Sequence, residues 1–233
     1  MKRVKCLTLS VAMLLCQAAA YASSYVDTTY SSGLGSMQYR VYLPDNYQAS
    51  GPNKTPVVLY LHSAAERGNS ISDIFSNSYG GSLWTNDWIN NLVNETQHGE
   101  HQAVLIMPQS GLGQVWNSMT SGDNWTVGSY TNATAQPISP RLQLAVNILD
   151  NVVATKNVNT NKVYVTGPSM GGYGTWDVMA RFPEKFAAGM PLSGGGNTDL
   201  AKTVLSTKPI WAYHGGADGL VPPSGTTNMY FAS

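Results

Sequence analysis

The 233-residue sequence predicts an α/β architecture, a mainly parallel sheet with helices on both faces. Three observations predict it. Val57–Leu61 and Val104–Met107 are short continuous apolar runs, the pattern of strands buried on both faces. Segments of helical spacing alternate with such runs, most clearly after Pro140. The residue clusters able to carry chemistry fall just after the runs, and sheets of this kind place ligands beyond the carboxyl ends of their strands.

The elements follow in chain order. Lys2, Arg3 and Lys5 precede an apolar run from Leu7 to Leu15, and Ala20-Tyr21-Ala22 fits a small-x-small cleavage rule. Residues 1–22 therefore read as a secretory signal peptide, too short in their apolar part to span a bilayer. Cys6 and Cys16 would leave with it, so the mature chain is expected to lack disulfides and thiol nucleophiles. Residues 23–233 are long enough for one core in one domain. Charge is sparse at 11% and formally balanced; removing the three early basic residues leaves 10 basic against 13 acidic groups, a charge of −3. No basic excess exists to neutralise phosphates, which argues against a nucleic-acid partner.

Met37–Leu43 alternates and stops at Pro44, predicting an early, half-exposed strand. The Val57–Leu61 strand leads into His62-Ser63-Ala64-Ala65-Glu66-Arg67-Gly68. His98 and His101 flank Gly99-Glu100 and read as a solvated turn; their spacing offers no third ligand, so no metal or other cofactor is expected. Gly111–Pro137 is long, polar and weakly periodic, and carries Trp116, Trp125 and Tyr130 as either a substrate-binding excursion or an irregular loop. Ser139-Pro140 is a helix start, a capping serine followed by proline at the first helical position. Val163–Val165 predicts a strand, 170–181 a helix, Ala187–Leu192 a strand, 198–206 a helix and Ile210–Tyr213 a strand. The residues before Ser233 read as one more helix.

Thr166–Trp176 carries the chemistry. Ser169 lies in G-x-S-x-G between a strand and a helix, the setting of a strained turn that exposes a nucleophile. Gly167 and Gly171 would let the backbone pass close to itself, and Gly172 would let the helix approach a neighbouring strand. The Met170 amide would be one oxyanion donor, and the Ala64 amide, or that of Ser63, the other. Asp218, a few residues past the Ile210–Tyr213 strand, is the candidate acid; Asp199 is a rival read instead as a helix cap. His62, Trp116, Trp125 and His214 are candidate substrate contacts.

These segments resemble those of secreted α/β-hydrolases of the phospholipase/carboxylesterase-like family. His62–Gly68 is similar to its HG-x-GERG loop, Pro108-Gln109 to its P-Q, Gly167–Trp176 to its G-x-SMGG-x-G-x-W elbow, and His214–Pro222 to its HG-x-x-D-x-x-VP segment. Polyhydroxybutyrate depolymerases and feruloyl or acetyl-xylan esterases are neighbouring branches. The resemblance implies an α/β-hydrolase fold and a secreted serine esterase working through an acyl-enzyme on a small-molecule or polymer-borne ester, with the triad in the order Ser, Asp, His. Ser63 and Ala65 stand where the family has glycine, and no histidine follows Asp218. The expectation is a domain lacking the last strand, the triad histidine and the terminal helix, hence weak or inert as given. His214 is the substitute base to consider. Serine peptidase activity remains an alternative, as does a non-catalytic polymer- or carbohydrate-binding module using Trp84, Trp88, Trp116 and Trp125 as stacking surfaces.

Overall fold

A computed structural model of the chain describes residues 24–76, 102–117 and 137–233. Its centre is a six-stranded sheet of β1 (Ser24–Ser32), β2 (Gly35–Leu43), β3 (Thr55–Tyr60), β4 (Val104–Pro108), β5 (Val158–Pro168) and β6 (Ala188–Leu192), in the order β1-β2-β4-β3-β5-β6. The first two strands are antiparallel to their neighbours and the other four run parallel to one another. Ile210–Tyr213 adds a seventh edge segment beside β6 through single parallel bridges at Gly189↔Ile210 and Leu192↔Tyr213.

Continuous apolar runs became the central strands because both of their faces are covered. Val57 and Leu59 of β3, with Val104 and Ile106 of β4, point into the larger core with α2 (Pro140–Thr155) and α3 (Met170–Arg181). Val58, Leu105 and Met107 point the other way, into a smaller cluster with Ile74 of α1 (Asp73–Ser76). The α2 start is as the sequence indicated: Ser139 accepts a hydrogen bond from Leu142 N at 3.1 Å and Pro140 takes the first helical position. Two further helices, α4 (Thr198–Val204) and α5 (Ser224–Ala232), pack against each other near the end of the chain.

β1 has no counterpart in the sequence-based reading. Tyr25 and Val26 are exposed, so no apolar stripe announces the strand. Its hold on β2 is polar: Arg40 makes a two-pronged ion pair with Asp27, at 2.6 and 2.8 Å, and stacks over the Tyr25 ring. The expected leader at 1–22, His98, His101, Trp84, Trp88 and Trp125 lie outside the described residues. No helix among the described residues is long and apolar enough to cross a membrane.

Candidate active site

Ser169 sits between the end of β5 and the first turn of α3, with φ 54° and ψ −117°. A residue with a side chain reaches this region only under constraint, at a cost of about 1–3 kcal/mol. The constraint is visible on both sides of the turn. Ser169 N donates to Leu192 O of β6 at 2.8 Å, and Tyr173 N donates to Ser169 O at 3.1 Å. A β-carbon at Gly167 or Gly171 would collide with the Leu61 carbonyl, and one at Gly172 with the Leu192 carbonyl. The turn is thus wedged between the ends of β3 and β6. Ser169 is left half-buried, and its hydroxyl does not cap the helix it opens. Met170 is the first residue of that helix, so its N–H has no intrahelical partner and lies at the positive end of the helix dipole.

The loop that meets this turn is tightly built. Residues Ala64–Glu66 form a single 3₁₀ turn after Ser63. The Ser63 N–H donates to Glu66 Oε2 at 2.7 Å. Ser63 therefore cannot offer its amide to a substrate oxygen, and of the two expected donors only Ala64, which opens the turn, retains an orphan N–H. The sequence carried a signal for this, since Ser63-x-x-Glu66 is a capping-box pattern, but the role of Glu66 was not read from it. Gln109, at the end of β4, donates from Nε2 to Glu66 O and Ser110 O, both at 3.0 Å, tying the loop to the next strand.

His62 and Trp116 belong to this scaffold rather than to a substrate surface. Both are fully buried. His62 Nδ1–H donates to Ser63 O at 2.7 Å and Nε2 accepts from Ser110 N at 2.9 Å, while Trp116 Nε1 donates to His62 O at 2.9 Å. Burial pushes the His62 imidazole down to about 4 from its ordinary 6.5, against the raising effect of the Ser63 carbonyl, and so keeps it neutral. Trp116 lies against Gly174 of α3, where a side chain would strike the Trp116 β-carbon and a Leu61 methyl group.

Asp218 follows the edge segment, whose partner β6 lies next to β5, so it emerges on the same rim of the sheet as Ser169. Its Oδ1 accepts from Leu220 N and Val221 N at 2.9 and 3.0 Å, and Oδ2 lies 3.5 Å from His214 Nε2. Partial burial pushes the carboxyl up, but the Val221 and Leu220 amides and His214 outweigh it, and the group sits below its usual range. His214 is only 6% exposed at its side chain. Its Nδ1 bonds Thr226 Oγ1 at 2.7 Å and its Nε2 bonds Val221 O at 2.9 Å. Thr226 Oγ1 also donates to Gly194 O at 2.9 Å. His214 thus fastens the Asp218 loop to α5 and to the loop after β6, which leaves it neither a substrate contact nor a free base. Asp199 is not a cap: Asn197 caps α4, and Asp199 faces Lys202. Trp125 lies outside the described residues.

Similarity to known proteins follows the same outline. The model of the Esterase family ("Putative esterase") matches residues 32–217. Among curated proteins, poly(3-hydroxyalkanoate) depolymerase C of Paucimonas lemoignei is 23% identical over 79% of this chain and 37% of its own length. The bifunctional acetylxylan esterase/xylanase of Neocallimastix patriciarum is 27% identical over 78% of this chain and 21% of its own. The chain therefore spans well under half the length of either relative. A thermostable esterase of known structure superposes with a TM-score of 0.70 at 24% identity, over 89% of this chain and 51% of that one. The feruloyl esterase module from Clostridium thermocellum does so at 0.53 and 19% identity, over 91% and 72%. With the mainly parallel sheet, these superpositions establish an α/β-hydrolase fold.

Proposed function

The chain belongs to the Esterase family, and on that footing we propose that it is a serine hydrolase cleaving carboxylic ester bonds through an acyl-enzyme intermediate. Ser169 Oγ attacks the acyl carbon while an imidazole takes its proton. The resulting oxyanion accepts from the Met170 and Ala64 amides. The acyl–oxygen bond breaks, the proton passes to the leaving alcohol, and water repeats the sequence to free the acid and restore Ser169. Asp218 is the carboxylate that orients the imidazole.

The observation that carries this reading is the Ser169 turn itself. A half-buried serine held at φ 54°, with its hydroxyl free of the helix it opens and a helix-start amide beside it, has no evident purpose in a merely structural bend. The intact turn also speaks for an enzyme over a non-catalytic binding module. The imidazole is the missing part. His62 and His214 each have both ring nitrogens engaged, which supports a base other than these two. If that base is not supplied in place, turnover by this chain is slow, since loss of a triad member in a subtilisin-type enzyme costs roughly a millionfold.

Two further parts of the reading rest on composition and kinship. The basic start, apolar run and Ala20-Tyr21-Ala22 of residues 1–22 support export and removal of that segment. The depolymerase and acetylxylan esterase named above support an ester borne on a polymer. Hydrolysis of p-nitrophenyl acetate, with and without added imidazole, tests the core of the proposal. Imidazole-stimulated release of p-nitrophenol, lost in Ser169→Ala, is expected. Release that is the same in the alanine variant would contradict it.

A further inference from the structure

Among the described residues, two that are not glycine hold a left-handed backbone: Ser169, with φ 54°, and Ser193, with φ 47°. They stand side by side. Pro168 and Leu192 are register partners at the ends of β5 and β6, so each serine is the next residue past its strand. The peptide that joins Leu192 to Ser193 is the one whose carbonyl accepts from Ser169 N at 2.8 Å. One strand spacing, about 4.8 Å, separates the two main chains.

Ser193 is held in this backbone from both sides. Its N–H donates to Tyr213 O at 2.8 Å. A β-carbon on the next residue, Gly194, would collide with Gly172 and with Tyr173 N of α3, and the Gly194 carbonyl accepts from Thr226 Oγ1 at 2.9 Å. The turn itself gives no reason for a serine. Glycine adopts a positive φ readily, and glycine fills the next three positions. Ser193 is half-buried at the rim, and its hydroxyl has no hydrogen-bond partner among the described residues. A side chain kept at a strained position beside the candidate nucleophile, with its polar atom uncommitted, points to a role in the reaction.

We propose that Ser193 is a catalytic residue of the hydrolase, its O–H donating to the leaving-group oxygen as the acyl–oxygen bond breaks. The inference rests on the ester-hydrolase reading of Ser169. Ala64, one of the proposed oxyanion donors, follows β3 on one side of Ser169, and Ser193 follows β6 on the other. Asp218 lies on the Ser193 side, past the edge segment. The base that Asp218 orients has to reach both Ser169 Oγ and the leaving oxygen, so the leaving oxygen faces β6 while the carbonyl oxygen faces β3. In this step the electron pair of the acyl–oxygen bond passes to the leaving oxygen, which takes the proton carried by the base. Ser193 keeps its own proton and stabilises the developing charge through one hydrogen bond. A phenoxide gains more from that bond than a p-nitrophenoxide, whose charge is spread into the nitro group.

Hydrolysis of phenyl acetate and p-nitrophenyl acetate by the full chain in imidazole buffer, with the rate of Ser169→Ala subtracted, tests it. Ser193→Ala and Ser193→Gly should each lower kcat/KM on phenyl acetate by about fivefold or more beyond any loss on p-nitrophenyl acetate. The glycine variant should melt higher than the alanine variant, since it alone sheds the backbone strain, so a kinetic loss shared by both belongs to the hydroxyl. An equal loss on the two esters, or none on either, overturns the proposal, as does a loss confined to one of the two variants. Hydrolysis undiminished in Ser169→Ala removes the hydrolase reading and this role with it. Hydrolysis that depends on Ser169 but shows no leaving-group contrast at Ser193 removes the role alone.

Discussion

At Ser169 the backbone carries strain that a glycine would not feel. Ser169→Ala keeps the β-carbon and the strain but loses the hydroxyl, whereas Ser169→Gly loses both. The glycine variant should therefore be the more stable by about 1 kcal/mol, a rise of some 2–4 °C in Tm for a chain of this size. Differential scanning calorimetry of the two variants reads this directly, and equal midpoints would mean that the turn is not strained. His62 makes a pH prediction. Its folded value lies near 4 against 6.5 unfolded, so between these the unfolded chain binds an additional proton. The stability this contributes is complete above 6.5 and is lost as pH falls toward 4, at about 1.4 kcal/mol per pH unit. Urea unfolding from pH 7 to 4 should show a steeper decline for the wild type than for His62→Gln, which cannot titrate.

Among the elements, the junction of β3, β5 and α3 bears the most weight. Gly171 has no room for a methyl group against the Leu61 carbonyl, and a backbone atom cannot swing aside. Gly171→Ala should cost at least about 3 kcal/mol and sharply reduce soluble yield, measurable as a fall in Tm beside Gly216→Ala, whose site is open. The 3₁₀ turn after β3 depends on Glu66. Glu66→Gln keeps an acceptor for the Ser63 amide and should retain most of the labelling rate at Ser169; Glu66→Ala should lose about tenfold or more, because the Ala64 amide is no longer held in place.

The elements show what the sequence could and could not tell. β3 and β4 were legible because strands buried on both faces must be apolar throughout, and α2 because its cap chemistry is local. The tight turn at 167–172 was legible because only glycine fits where two main chains touch. β1 was not, since its hold on β2 is an ion pair between Asp27 and Arg40 rather than an apolar stripe. Whether His62, Trp116 and His214 faced inward depended on the loops that close over them, which no periodicity records.

At the scale of the molecule, the sheet sets one rim against which every candidate group is arranged. The Ser63–Glu66 loop stands at the end of β3, Gln109 after β4, Ser169 after β5, and Asp218 past the edge segment beside β6. Neighbouring parallel strands thus bring the proposed donor, nucleophile and carboxylate to one rim, while the covered faces supply rigidity. Neither His62 nor His214, each with both ring nitrogens engaged, is free to serve as the imidazole of the proposed mechanism. The most direct measurement of this account is mass-spectrometric mapping of the chain after incubation with a fluorophosphonate, with and without imidazole. The account predicts a single adduct, on Ser169, formed faster with imidazole and absent from Ser169→Ala. An adduct on another serine, or none at all in the presence of imidazole, would contradict it.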